Sequence, residues 1–88
     1  MAMGLFLDRR SRIADDLVSL FQGGDWETLR DLCEEIRDTA SIFGFTDLAR
    51  RAEETLACLD ADVELQATAR SVLRLVAGFG TLRTREVR

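Results

Sequence analysis

Histidine, lysine, proline and tyrosine are all missing from this chain of 88 residues. Without histidine there is no imidazole to act as a base near neutral pH, to bind a metal or to accept phosphate. Without lysine, all twelve basic residues are arginine. Arginine and alanine in place of lysine point to a GC-rich bacterial source. Without proline, breaks between elements must come from glycine and capping residues. The two cysteines, Cys33 and Cys58, lack any metal or redox spacing and read as free apolar thiols. The start, MAMGLFL, has no basic lead, and no apolar run is long enough to span a bilayer. The expected location is the cytoplasm, with no membrane contact.

What remains is ordinary for one small globular domain, expected to occupy residues 1–88. Hydrophobic residues make up 47% of the chain, which is enough for a core. The net charge is −4: residues 1–44 carry five arginines and nine acids, and residues 45–88 carry seven of each. An acidic chain with no basic stripe argues against a nucleic-acid partner. Arg83, Arg85 and Arg88 form a short basic tail, read as a solvated end.

Apolar residues recur at spacings of three and four, the helical period, and no stretch alternates like a half-buried strand. Four helices are expected, at about 8–22, 25–43, 46–59 and 62–79. Gly23-Gly24 ends the first and Phe43-Gly44-Phe45 the second. Asp60-Ala61-Asp62 separates the last two, and Gly78 and Gly80 mark the exit. Asp25, Thr46 and Asp62 are the expected N-caps.

The expected core comprises Ile13, Leu17, Leu20 and Phe21, then Leu29, Leu32, Cys33, Ile36, Ala40 and Phe43. Leu48, Ala52, Leu56 and Leu59 follow, and finally Leu65, Ala69, Val72, Leu73, Val76 and Phe79. Trp26 is expected to close one end. Short connections force consecutive helices to run antiparallel, giving an all-α, up-down-up-down four-helix bundle.

With that core facing inward, Arg30, Glu34, Arg37 and Ser41 share another line of the second helix, with Asp38 beside them. Gly44 and Phe45 then turn into TDLARRAEETL. Over residues 25–60 this resembles the histidine-phosphotransfer (HPt) family, whose domains pass phosphate between a sensor kinase and a response-regulator receiver domain. The family pattern runs His, any residue, Leu, Lys, Gly, a small-residue stretch, then Gly ten residues after the His. Anchored on Gly44, the pattern's Leu falls on Ile36 and its Lys on Arg37. Its small stretch falls on Thr39, Ala40 and Ser41, and the next helix matches Leu48, Ala49, Ala52 and Leu56.

Two positions depart from the pattern. The phosphoacceptor position is Glu34, and the Gly that leaves room for a receiver is Asp38. A carboxylate does not replace imidazole in a relay, because its acyl phosphate hydrolyses unless a site protects it. The resemblance therefore implies an HPt-like module that binds a receiver domain or a sensor histidine kinase and transfers nothing. Arg37 would be the electrostatic anchor, and Arg30, Glu34, Asp38, Ser41 and Phe45 the rest of the docking face. The module would need no cofactor or metal, and no catalytic residue is expected.

A plainer account stands beside this one. Arg30, Glu34 and Arg37 also fit a network of i,i+3 and i,i+4 pairs worth a few tenths of a kcal/mol. Arg50, Arg51, Glu53 and Glu54 read as a mixed solvent face, and Arg70 and Arg74 as a solvated stripe. The alternative function is a self-associating structural bundle, a homodimer in which Leu5-Phe6-Leu7 extends the first helix against a second copy.

Overall fold

The computed structural model describes residues 3–61 and 63–81. These form five helices: α1 (Met3–Asp8), α2 (Arg10–Gly23), α3 (Trp26–Ile42), α4 (Thr46–Asp60) and α5 (Leu65–Thr81). No strand occurs among the described residues. The long helices pack in a ring, α2 on α3, α3 on α4, α4 on α5 and α5 on α2. Contacts such as Arg30 with Asp60 and Thr55 with Ser71 place consecutive helices antiparallel. The arrangement is compatible with an up-down-up-down four-helix bundle, to which α1 is an addition.

Glycine makes two of the breaks. Gly24 and Gly44 adopt φ values of 73° and 81°, left-handed conformations that a Cβ disfavours. At Gly44 the amides of Gly44 and Phe45 donate to the carbonyls of Ser41 (3.3 Å) and Ala40 (2.8 Å), which closes the end of α3. Asp25 caps α3, its carboxylate accepting from the Thr28 amide at 3.2 Å. Thr46 does not cap α4. The Phe45 carbonyl already accepts from the Ala49 amide at 3.0 Å, so the cap position is Phe45 and Thr46 lies inside the helix. Asp62, the expected cap of the last helix, is outside the described residues, as are Arg83, Arg85 and Arg88. Gly78 and Gly80 do not mark an exit, because α5 runs through both to Thr81.

The first expected helix, 8–22, is α2, and the short α1 precedes it across a break at Arg9. α1 folds so that Phe6 is fully buried. The Phe6 ring lies 6.2 Å from Phe45 and 5.6 Å from Phe79, plugging the end of the bundle where α3 turns into α4. Leu7 is buried too, so both side chains serve the chain's own core rather than a second copy. The side chain of Leu5 is outside the described set.

Most of the expected core is in place. Leu17, Leu29, Cys33, Ile36, Ala40, Ala52 and Val72 are buried, each leucine-sized side chain contributing roughly 1.5–3 kcal/mol. The exceptions are on α5 and at Trp26. Leu65 and Leu73 face solvent, 62% and 61% exposed, and Leu75 takes the core position instead. Trp26 stacks edge-on against Phe21 at 5.6 Å but stays 42% exposed, so it only partly covers its end of the bundle.

Candidate functional site

The periodicity that buries Leu29, Cys33, Ile36 and Ala40 turns the opposite line of α3 outward. Glu34, Asp38 and Ser41 are exposed, and Arg30 and Arg37 are half-exposed. The structure therefore brings five of the six expected docking residues onto one solvent-facing seam along α3. The sixth, Phe45, sits at the end of that seam. It is half-buried, and its ring is engaged with Phe6.

The charges on the seam do not pair as the helical spacing suggests. Arg30 reaches across to Asp60 at the end of α4. Arg37 Nε donates to the Asp38 carboxylate at 3.0 Å. Among the described residues, neither arginine forms an ion pair with Glu34. The antiparallel neighbour α4 offers Arg30 a carboxylate, and an adjacent residue offers Arg37 one. The Asp38 hydrogen bond and charge, aided by Glu34 and by Glu53 on α4, hold the Arg37 guanidinium further above its ordinary pKa. Glu34 is thus an exposed carboxylate in the middle of a helix, flanked one turn away by a cation on either side.

Beneath the seam lies Cys33. Burial, with a smaller contribution from the Glu34 charge, pushes its thiol up to about 12. A thiol this far from ionisation is a core side chain and not a nucleophile. No group of three or more His, Cys, Asp or Glu residues able to hold a metal ion occurs among the described residues. Nor is any helix there long and apolar enough to cross a membrane.

Two further side chains bear on the surface. Ile42 is 75% exposed, one turn beyond Asp38 at the end of the seam. The sequence signal for it was its place one residue off the inward stripe, where an isoleucine has no core to fill. Arg51 is not simply part of a solvent face. Its Nη1 donates to the Arg74 carbonyl on α5 at 2.7 Å and its Nε to Asp47 at 2.9 Å. Hydrogen bonding from Arg50, with added charge from Arg51, holds the Asp47 carboxyl below the usual carboxylate range.

The seam presents two guanidinium groups, two carboxylates, a hydroxyl and an exposed isoleucine. Comparison with protein-family models, curated proteins and solved structures gives no match. The functional reading rests on the seam and on the residue pattern that led to it.

Proposed function

We propose that this chain is an HPt-like binding module that has lost its transfer reaction and docks a two-component signalling partner through the α3 seam. The observation that carries the reading is the exposure of Glu34 in mid-helix, at the position of the family's phosphoacceptor, with the pattern's apolar positions Ile36, Ala40, Leu48, Ala52 and Leu56 buried behind it. Arg37 is the anchor, and Ile42, exposed at the end of the seam, adds an apolar contact.

The sign of the charges narrows the docking mode. A receiver's phosphorylation pocket is acidic, and Glu34 and Asp38 would add two negative charges against it. Docking on a kinase's helix pair, or on a receiver surface outside that pocket, avoids this repulsion. Binding without transfer then sequesters the receiver or blocks the kinase.

The test is Arg37→Glu, assayed by titration calorimetry against purified receiver domains and kinase dimerisation domains from the source organism. Affinity for the partner that binds the wild type is expected to fall about tenfold or more, with little change in melting temperature. Equal affinity for wild type and variant removes Arg37 from the interface. Phosphate passing from a phosphorylated receiver or kinase onto the wild-type chain overturns the reading as a whole.

A further inference from the structure

The two ends of the bundle are closed differently. At one end Phe6 packs against Phe45 and Phe79 and fills the space between the helices. At the other, where α2 turns into α3 and α4 into α5, Trp26 leans edge-on against Phe21 and stays exposed. There α5 carries Thr68 on its inward stripe, which continues through the buried Val72, Leu75 and Phe79. A threonine on that stripe leaves open the kind of space that Phe79 fills at the far end. The result is a cavity of about 260 Å³ walled by Trp26, Leu59, Val63, Leu65 and Thr68. Of the five large apolar side chains that face solvent among the described residues, three (Trp26, Val63 and Leu65) line this cavity.

The polar group in the wall is the second observation. Thr68 is only 5% exposed. Its hydroxyl forms no hydrogen bond among the described residues. No sealed side-chain polar atom there lacks a partner, so Thr68 Oγ1 is the part of the residue still accessible. The cavity that Thr68 lines is where it opens. An apolar hollow with one convergent, unanswered polar atom has the make-up of a small-molecule site.

Size and chemistry define the occupant. A cavity of about 150 Å³ holds benzene, and drug-sized ligands occupy about 300 Å³ or more. The volume here therefore suits one substituted ring. No charged side chain lines the cavity, so a carboxylate or ammonium would lose its hydration without a counter-charge. A neutral hydroxyl, in contrast, can donate to Oγ1 or accept from it. We propose that this cavity binds a small phenol, its ring against Trp26, Leu59, Val63 and Leu65 and its hydroxyl on Thr68 Oγ1. This site does not rest on the signalling proposal. It adjoins the seam at one point only: Trp26 lies one turn from Arg30, and Leu59 precedes the Asp60 that Arg30 holds.

The test uses p-cresol and toluene, which differ by the hydroxyl alone. Trp26 is the only tryptophan, so its indole N–H gives a single NMR resonance that reports on this cavity. Titrating p-cresol into the full chain is expected to shift that resonance saturably, with a dissociation constant of about 0.1–1 mM. Thr68→Val is expected to weaken p-cresol about fivefold and to leave toluene unchanged. Leu65→Asp weakens both, with no loss of melting temperature because Leu65 is exposed. The melting temperature of Thr68→Val is not expected to fall, since its hydroxyl has no partner in the chain to lose. A resonance that does not saturate by about 10 mM p-cresol, or a Thr68→Val variant that loses p-cresol and toluene equally, would overturn the proposal. So would a marked drop in the melting temperature of Thr68→Val, or a Trp26 resonance that moves with protein concentration instead of p-cresol, which would mean that a second copy covers this end. Arg37→Glu is expected to bind p-cresol as the wild type does, so the seam and the cavity stand or fall separately.

Discussion

Thr55 on α4 and Ser71 on α5 meet inside the core with their hydroxyl oxygens 2.8 Å apart. Thr55 also lies 3.2 Å from the Arg51 carbonyl and 3.3 Å from the Ser71 carbonyl, so a small polar network joins the two helices where only apolar contacts were expected. Both residues are buried, and no buried side-chain polar atom among the described residues lacks a partner. Thr55→Val keeps the shape of the side chain but leaves the Ser71 hydroxyl without its partner. The expected cost is about 1–3 kcal/mol. Adding Ser71→Ala removes the stranded group and should recover much of that loss. Urea unfolding of the two single variants and the double variant measures the coupling, and fully additive losses would show that the hydroxyls do not act as a pair.

Two glycines of α5 should respond differently to the same substitution. A Cβ on Gly80 meets nothing within 4 Å, whereas one on Gly78 lies 3.1 Å from both Leu48 Cδ1 and Arg51 Cδ. Gly80→Ala is expected to stabilise by up to about 1 kcal/mol through helix propensity, less if the last turn frays. Gly78→Ala gains the same propensity but presses on buried Leu48 and on the Arg51 that bridges α4 to α5. Overpacking costs about 1–3 kcal/mol, so the net effect should be destabilising. Thermal melts of both variants decide this, and equal stabilisation would mean that Arg51 and Leu48 give way freely.

Cys33 makes stability depend on alkaline pH. Its folded-state pKa, pushed up to about 12, lies above the ordinary thiol value of 9.0. The folded state therefore resists losing this proton. The associated stability is complete below pH 9.0 and declines as pH rises toward about 12. In the same range Cys58, which is only half-buried, should alkylate in the native protein while Cys33 reacts only on unfolding. Iodoacetamide labelling followed by mass spectrometry separates the two. Cys33→Ala is expected to lose some packing stability but to show a shallower fall in melting temperature above pH 9.0 than the wild type.

How much of this was legible in the sequence depends on how local the signal was. Gly24, Gly44 and Asp25 act within a few residues of themselves, and their roles could be read directly. The inward stripe of α3 was clear because its apolar arc is narrow, which also fixed the outward direction of Glu34 and Arg37. On α5 the arc is broad. Leu73 and Leu75 are both apolar, and only the positions of α2 and α4 decide which one is buried. Phe6 could not be placed from periodicity, because its partners Phe45 and Phe79 are distant in sequence and it reaches them through a break at Arg9. The expected charge network on α3 gave way to Asp60, on another helix thirty residues away. Nor does spacing distinguish Thr55 and Ser71 from surface residues, since their burial depends on each supplying the other's hydrogen bond.

The proposed register of the docking seam can be tested by restoring the missing chemistry. Glu34→His places an imidazole on an exposed mid-helix position, and Asp38→Gly removes the side chain one turn away, where the family pattern leaves space. The Gly substitution costs about 1 kcal/mol of helix stability and releases Arg37 from its 3.0 Å bond. The freed guanidinium then lies within one turn of the new imidazole, where it can pair with a phosphate. With both carboxylates gone, the repulsion that keeps the seam out of a receiver's acidic phosphorylation pocket is removed, and the double variant is expected to take up acid-labile phosphate from a phosphorylated receiver that binds the wild type. Glu34→His alone should accept more slowly, because Asp38 still crowds the approach and repels the phosphoryl group. A folded double variant that still binds the receiver yet takes no label would mean that the seam is a binding surface whose centre is not Glu34.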